Sequence, residues 1–221
     1  MKLIESTSVD PREVAALRKL VAQGEGLHLE FKKKAAFPDK LVKELIAFAN
    51  TEGGVMLVGV DDDGTLAGVK YPEEEIHVIS QALSQHCRPL LEVGFSVVPV
   101  SPKKFVVQIG VPISPRRPHR MVNPGLPPET FVRVKDSSVK ASRELVEIIR
   151  RKKSDKDVKF AYGPHESTLI KYLEQHGHIS VQQFSRIARI SRHLAARKLI
   201  RLVLAHVLKV TPAQPDLYSR L

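Results

Sequence analysis

The chain has no tryptophan and one cysteine, Cys87. A single thiol excludes an intrachain disulfide and a cysteine-cluster zinc site, and such sparing use of cysteine fits a reducing, cytoplasmic setting. No apolar run approaches the roughly 18 residues of a membrane span. Residues 1–14 lack the apolar stretch of a secretory signal. A protein of the cytoplasm with no membrane partner is therefore expected. Acidic residues are also missing from one long segment: none occurs between Ser180 and Pro215.

What is present is basic and unevenly placed. The 221 residues carry 35 Lys+Arg against 24 Asp+Glu, a net charge of +11. Residues 1–150 hold 21 and 19 of these, while residues 151–221 hold 14 and 5, so the last third carries +9 of the excess. A basic module beside a near-neutral one points to nucleic acid, DNA or RNA, as partner. The alternative is a merely solubilising surface. The length accommodates one large or two small domains, and the polar run around Arg150–Gly163 divides them. The expected domains are 1–152 and 164–221, with 153–163 as a linker.

The first module mixes helical and extended patterns. Asp10 followed by Pro11 is a helix start, and Val14, Leu17, Leu20 and Val21 recur at helical spacing until Gly24. Leu27, Leu29 and Phe31 alternate with polar residues, the pattern of a half-buried strand. A helix is predicted from about Asp39 to Asn50, stopped by Thr51-Glu52-Gly53-Gly54. Val55–Val60 is a continuous apolar run, hence a central strand. A third helix is predicted over Pro72–Cys87. Strands follow at Val93–Val100 and Phe105–Val111, then an irregular loop over 112–128 with six prolines. A strand at Thr130–Val134 and a closing helix at Ser142–Arg151 complete the module.

The second module has helical periodicity over Ser167–His176, a short helix after Ser180, and a longer one from Ser191 to about His206. Val207–Thr211 and Leu217–Leu221 pair as two short strands. That is the element order of a winged helix-turn-helix. The third helix holds Arg192, His193, Arg197, Lys198 and Arg201. Arg192 and His193 fall in its first turn, where a recognition helix meets base edges. Arg197 and Arg201 share a face. Lys209 and Arg220 on the ribbon are suited to phosphates.

The strongest local motif lies in the first module. Glu25 is followed, after four intervening residues, by Glu30-Phe31-Lys32. Ala47-Phe48-Ala49-Asn50-Thr51 leads to Gly53-Gly54, and a buried strand ends in Gly59-Val60-Asp61-Asp62. Phe131-Val132-Arg133-Val134 precedes Ser137-Ser138. In these residues the chain resembles the Schlafen AlbA-like domain family over about residues 13–150. The expected fold class is therefore α/β (α+β): a Schlafen AlbA-like domain with a C-terminal winged-helix domain.

The family resemblance implies nucleic-acid binding. Together with the basic winged helix it makes a DNA-binding transcriptional regulator of bacterial type the expected function, with helix 191–206 in the major groove, a homodimer expected and no cofactor required. In the first module its contacts would come from Lys32, Lys34, Arg133, Lys135 and Ser137, within a basic strip that also takes in His119. The resemblance also implies a rival: in Schlafen-type ribonucleases the residues matching Glu25, Glu30 and Asp62 are catalytic and bind metal. Mg²⁺ or Mn²⁺ would suit such oxygen ligands and could activate water. Gly53-Gly54 is no P-loop, since no Lys-Ser or Lys-Thr follows. The histidines form no HExxH site, and Cys87 reads as a packed thiol.

Overall fold

The computed structural model describes residues 8–152 and 160–221. Residues 1–7 and most of the expected linker, 153–159, lie outside the described residues. The chain divides into two compact units, residues 1–140 and 141–221.

The first unit is built on a four-stranded sheet. Its elements are α1 (Pro11–Val21), β1 (Leu29–Lys32), α2 (Pro38–Asn50), β2 (Gly54–Val58), α3 (Pro72–His86), β3 (Cys87–Arg88), β4 (Gly94–Ser101), β5 (Lys104–Val111), β6 (Arg120–Met121), β7 (Phe131–Val134) and β8 (Ser137–Lys140). The sheet order is β1-β2-β5-β4. β1 and β2 run parallel, joined by the α2 crossover, and β4 and β5 form an antiparallel hairpin. The Asp10 carboxylate caps α1 by accepting from the Arg12 amide at 2.8 Å. Pro starts both α2 and α3, a position that needs no N–H partner.

Each sheet face has its own apolar layer. Leu17 and Val21 of α1 pack on Leu29, Phe31, Leu57 and Val106. Met56, Val58, Val107 and Ile109 face the other way, toward α2 and α3. Alternation along β2 therefore serves two layers, which is why its sequence is apolar throughout. The β7–β8 hairpin stands outside this sheet and packs on α2.

The second unit holds α4 (Arg143–Arg151), α5 (Pro164–His176), α6 (Val181–Ile187), α7 (Arg192–Leu204), β9 (Leu208–Thr211) and β10 (Leu217–Arg220). Ser142, Ser180 and Ser191 cap α4, α6 and α7 through side-chain oxygens. β9 and β10 are antiparallel, and Ile179 bridges to Tyr218 on β10. Leu169, Leu173, Phe184, Leu199, Val203 and Tyr218 centre the core. The sequence expectation gave α4 to the first domain. Instead it packs against α7, placing its buried Ile148 in the core of the second unit. Its apolar face, Leu145, Ile148 and Ile149, needs a neighbour, and α7 supplies one.

Tyr218 is fully buried and its hydroxyl has no hydrogen-bond partner among the described residues. Burial, with the Asp216 and Glu144 charges adding to it, raises its phenol well above the usual tyrosine range. Tyr218→Phe is expected to leave stability at neutral pH unchanged or to raise it by about 1–2 kcal/mol, because no bond is lost and a desolvated hydroxyl is removed. The folded state keeps the phenol protonated while the unfolded chain ionises near pH 10. Native stability should thus fall above about pH 10 in the wild type more than in the variant. Urea denaturation at pH 7 and pH 10.5 (about the ionisation range) checks both statements. A clear loss at pH 7 would reveal a bonded hydroxyl.

Candidate nucleic-acid interface

The three family-like segments of the first unit meet at one side chain. Arg133 of β7 is fully buried at its guanidinium. It donates to Glu30 Oε2 at 2.5 Å, Glu44 Oε2 at 2.7 Å, and the Gly26 carbonyl at 3.0 Å. Longer bonds reach Ser138 Oγ at 3.3 Å and the Leu29 carbonyl at 3.4 Å. The guanidinium also lies 4.9 Å from the Phe48 ring centroid. Glu30 takes Lys32 on its other oxygen, and Ser138 donates to Glu44. Two carboxylates and two cations form a closed, balanced set, as a buried charge requires.

The residues around Asn50 hold β7 in place. The Asn50 amide donates to the His119 and Phe131 carbonyls at 3.0 and 2.9 Å, and its oxygen accepts from the His119 amide at 2.8 Å. Thr51 Oγ1 accepts from the Arg133 amide at 2.9 Å. The Ala47–Gly54 block is therefore a clamp on the proline-rich loop and on β7. Sequence reading missed this because its partners lie 69 to 82 residues away.

Two expectations change accordingly. Arg133 is turned inward and spent on internal partners, so it does not line a surface groove. Lys32 is committed to Glu30. Lys34, Lys135 and Ser137 do remain exposed, with Lys135 at the turn of the β7–β8 hairpin in a left-handed conformation at φ 55°. His119, part of the expected basic strip, is buried.

Of the three proposed metal ligands, Glu30 is not brought together with Glu25 and Asp62. Glu25 and Asp62 line one groove with Arg18, and Glu25 Oε1 accepts from the Phe31 amide at 2.8 Å. Glu30 sits on the opposite side of β1, since Leu29 and Phe31 face α1 and their neighbour points away. Its oxygens already meet Lys32 and Arg133. Among the described residues no three His, Cys, Asp or Glu side chains are placed to hold a metal ion. The Glu25, Glu30, Asp62 set does not fit Mg²⁺ or Mn²⁺. In the acidic turn, Asp63 rather than Asp62 accepts the stabilising Thr65 amide, at 2.8 Å.

A second polar cluster was unseen in the sequence. His119 Nδ1 donates to the Pro89 carbonyl at 2.7 Å, leaving Nε2 to accept from Ser114 Oγ at 2.6 Å. Cys87 Sγ lies 3.8 Å from Nδ1. All three are buried, and burial pushes the Cys87 thiol up to about 11. A thiol so held is inert at neutral pH, so the cluster pins the loop.

In the second unit the cations fall into two groups. Lys198 pairs with Glu166 at 2.5 Å and Arg220 with Glu174 at 3.1 Å. Burial raises the Glu166 carboxyl, but the Lys198 hydrogen bond and charge outweigh it and the net shift is downward. Arg192, His193, Arg197 and Arg201 are exposed on α7, and none forms an ion pair among the described residues. Lys209 is exposed on β9. Arg220, paired with Glu174, is not a free cation of the ribbon. The α7 cations border a groove of about 740 Å³ whose other wall is α4.

An α/β unit knotted around a buried arginine, followed by a helical unit with an unpaired cationic helix face, defines the class of this protein. The chain matches the family described as Schlafen, AlbA_2 over residues 25–142. It belongs to that family, and membership suggests nucleic-acid binding. Among solved structures it is similar to the DIP2311 protein of Corynebacterium diphtheriae, at 19% identity and a TM-score of 0.47. That likeness covers 93% of this chain and 38% of the other, so the chain spans well under half of that protein's length. No curated protein matches the sequence. Among the described residues no helix is long and apolar enough to cross a membrane.

Proposed function

We propose that this protein binds duplex DNA as a transcriptional regulator, and that its C-terminal unit acts as a winged helix whose α7 enters the major groove. The observation that carries this reading is the cationic face of α7: Arg192, His193, Arg197 and Arg201 are exposed and have no acidic partner among the described residues. The like charges of Arg197 and Arg201, four residues apart on one face, repel each other, and a bound anion would relieve that repulsion. The order α5, bridging Ile179, α6, α7, β9, β10 supports the winged-helix reading, with Lys209 placed on the ribbon for the phosphate backbone. Lys34, Lys135 and Ser137 of the first unit supply further phosphate contacts.

Fluorescence anisotropy with a labelled random-sequence duplex tests the reading. Affinity should fall linearly on a log–log plot as salt rises, by a slope of about 0.9 per phosphate contacted. The Arg197→Ala, Arg201→Ala double variant should bind about 10- to 100-fold more weakly. Failure of the wild type to bind at low salt, or an unchanged affinity in the variant, would reject it. Unlabelled structured RNA as competitor decides between the two nucleic acids: displacement at lower concentration than by duplex DNA would replace DNA with RNA in the proposal.

A further inference from the structure

The helix that walls α7 bears on what that face can receive. α4 turns Arg143 and Arg151 toward the groove it forms with α7. Both are exposed, and neither has an ion-pair partner among the described residues. Across the groove stand His193, Arg197 and Arg201, above an apolar floor of Ala196 and Ile200. Glu144 and Glu147 also face it, and Glu147 is held by Arg150 at 2.5 Å. The α7 wall is thus positive, while the α4 wall carries two arginines and two glutamates and is balanced in charge.

Size decides how a duplex can meet this pair. A helix with side chains is about 10–12 Å across, and packed helices lie about 8–10 Å apart. The major groove, about 12 Å wide, admits one helix. If α7 enters it, α4 must remain outside, on the far side of a sugar-phosphate strand.

We infer that one phosphodiester strand runs in the cleft between α4 and α7, and that Arg143 and Arg151 contact its phosphates. Eight residues separate them, about 12 Å along the helix, enough to reach phosphates some distance apart on that strand. Glu144 and Glu147 then act as a brake, since carboxylates beside a phosphate track weaken binding. α4 is a second, backbone-gripping element of the reading unit. The inference rests on the DNA-binding proposal above and adds to it a binding element outside the helix-turn-helix.

The test uses the full chain and the same labelled duplex. Arg143→Gln with Arg151→Gln should weaken binding several-fold and lower the salt slope by about two, as expected for two lost phosphate contacts. Glu144→Gln with Glu147→Gln should tighten binding several-fold, a gain that damage to the fold cannot produce. Both results together establish the strand's path. If the wild type binds but the arginine pair leaves affinity and slope unchanged, the cleft holds no strand and the inference falls while the DNA-binding proposal stands. If the arginine pair weakens binding and the glutamine pair brings no gain, the loss is not electrostatic at this cleft and the inference falls as well. A wild type that binds nothing rejects the earlier proposal itself.

Discussion

Glu30→Ala is expected to cost the first unit about 3–5 kcal/mol of stability. The substitution leaves the Arg133 guanidinium, fully buried, without the closer of its two carboxylates, and leaves Lys32 without its partner. Glu44, at 2.7 Å, bonds the other guanidinium nitrogen and Ser138 through Oε2, so the nitrogen that faces Glu30 loses its carboxylate. Desolvation of a charge is repaid only by a partner of good geometry. Removing both charges is a different matter: Glu30→Ala with Arg133→Met should cost clearly less than the two single losses added. Urea denaturation followed by circular dichroism measures all three variants. A Glu30→Ala loss below about 1 kcal/mol, the scale of an exposed pair, would mean that Arg133 is solvated and that the network does not exist. The experiment also separates the two meanings of Glu30. As an internal counter-ion it is needed to fold, whether or not any ligand is present.

Gly53→Ala should cost about 2–5 kcal/mol, combining roughly 1–2 for a left-handed non-glycine residue with 1–3 for overpacking. Gly53 has φ +74°, and a Cβ there would stand 2.8 Å from the Val111 carbonyl oxygen and 3.2 Å from the Ile113 amide nitrogen. Both neighbours are backbone, so no side chain can swing aside. Gly24 is the control: it has φ +72°, and a Cβ there would meet nothing within 4 Å. Gly24→Ala should therefore cost about 1–2 kcal/mol, the conformational part alone. Thermal or urea unfolding of the two variants side by side checks this. Equal losses would show that the close approach to the β5 end is not real. The Gly53-Gly54 pair thus serves the turn from α2 into β2, with no phosphate needed to explain it.

Local patterns were legible in the sequence wherever the physics is local. Asp10 before Pro11 marks the start of α1, and Ser180 and Ser191 mark α6 and α7, because a cap bonds an amide two or three residues away. The β4–β5 hairpin and the central β2 follow from apolar runs and turn residues. The charge asymmetry also led to α7. What the sequence hid were choices of partner. Alternation along β1 separates Leu29 and Phe31 from Glu30, yet a polar residue on the second face reads as solvated. Glu30 is buried because an arginine 103 positions later arrives beside it, and no spacing rule reports that. Arg133 itself reads as a surface cation for the same reason. Asn50 looks like a helix terminator, while its amide spans to the proline-rich loop and to β7. α4 reads correctly as a helix, but periodicity gives only an apolar face and not the neighbour that covers it. The carboxylates Glu25, Glu30 and Asp62 align with a catalytic pattern in one dimension, and the pleat of β1 divides them in three.

The β7–β8 hairpin has no hydrogen-bonded place in the main sheet, and this fixes where the first unit can end. Its Arg133 is the counter-ion on which a carboxylate in β1 depends. A fragment stopped after β5 would keep all four sheet strands and still have to bury Glu30 against no opposing guanidinium. Electroneutrality of the interior, rather than completion of the sheet, sets the shortest length at which this domain can stand alone.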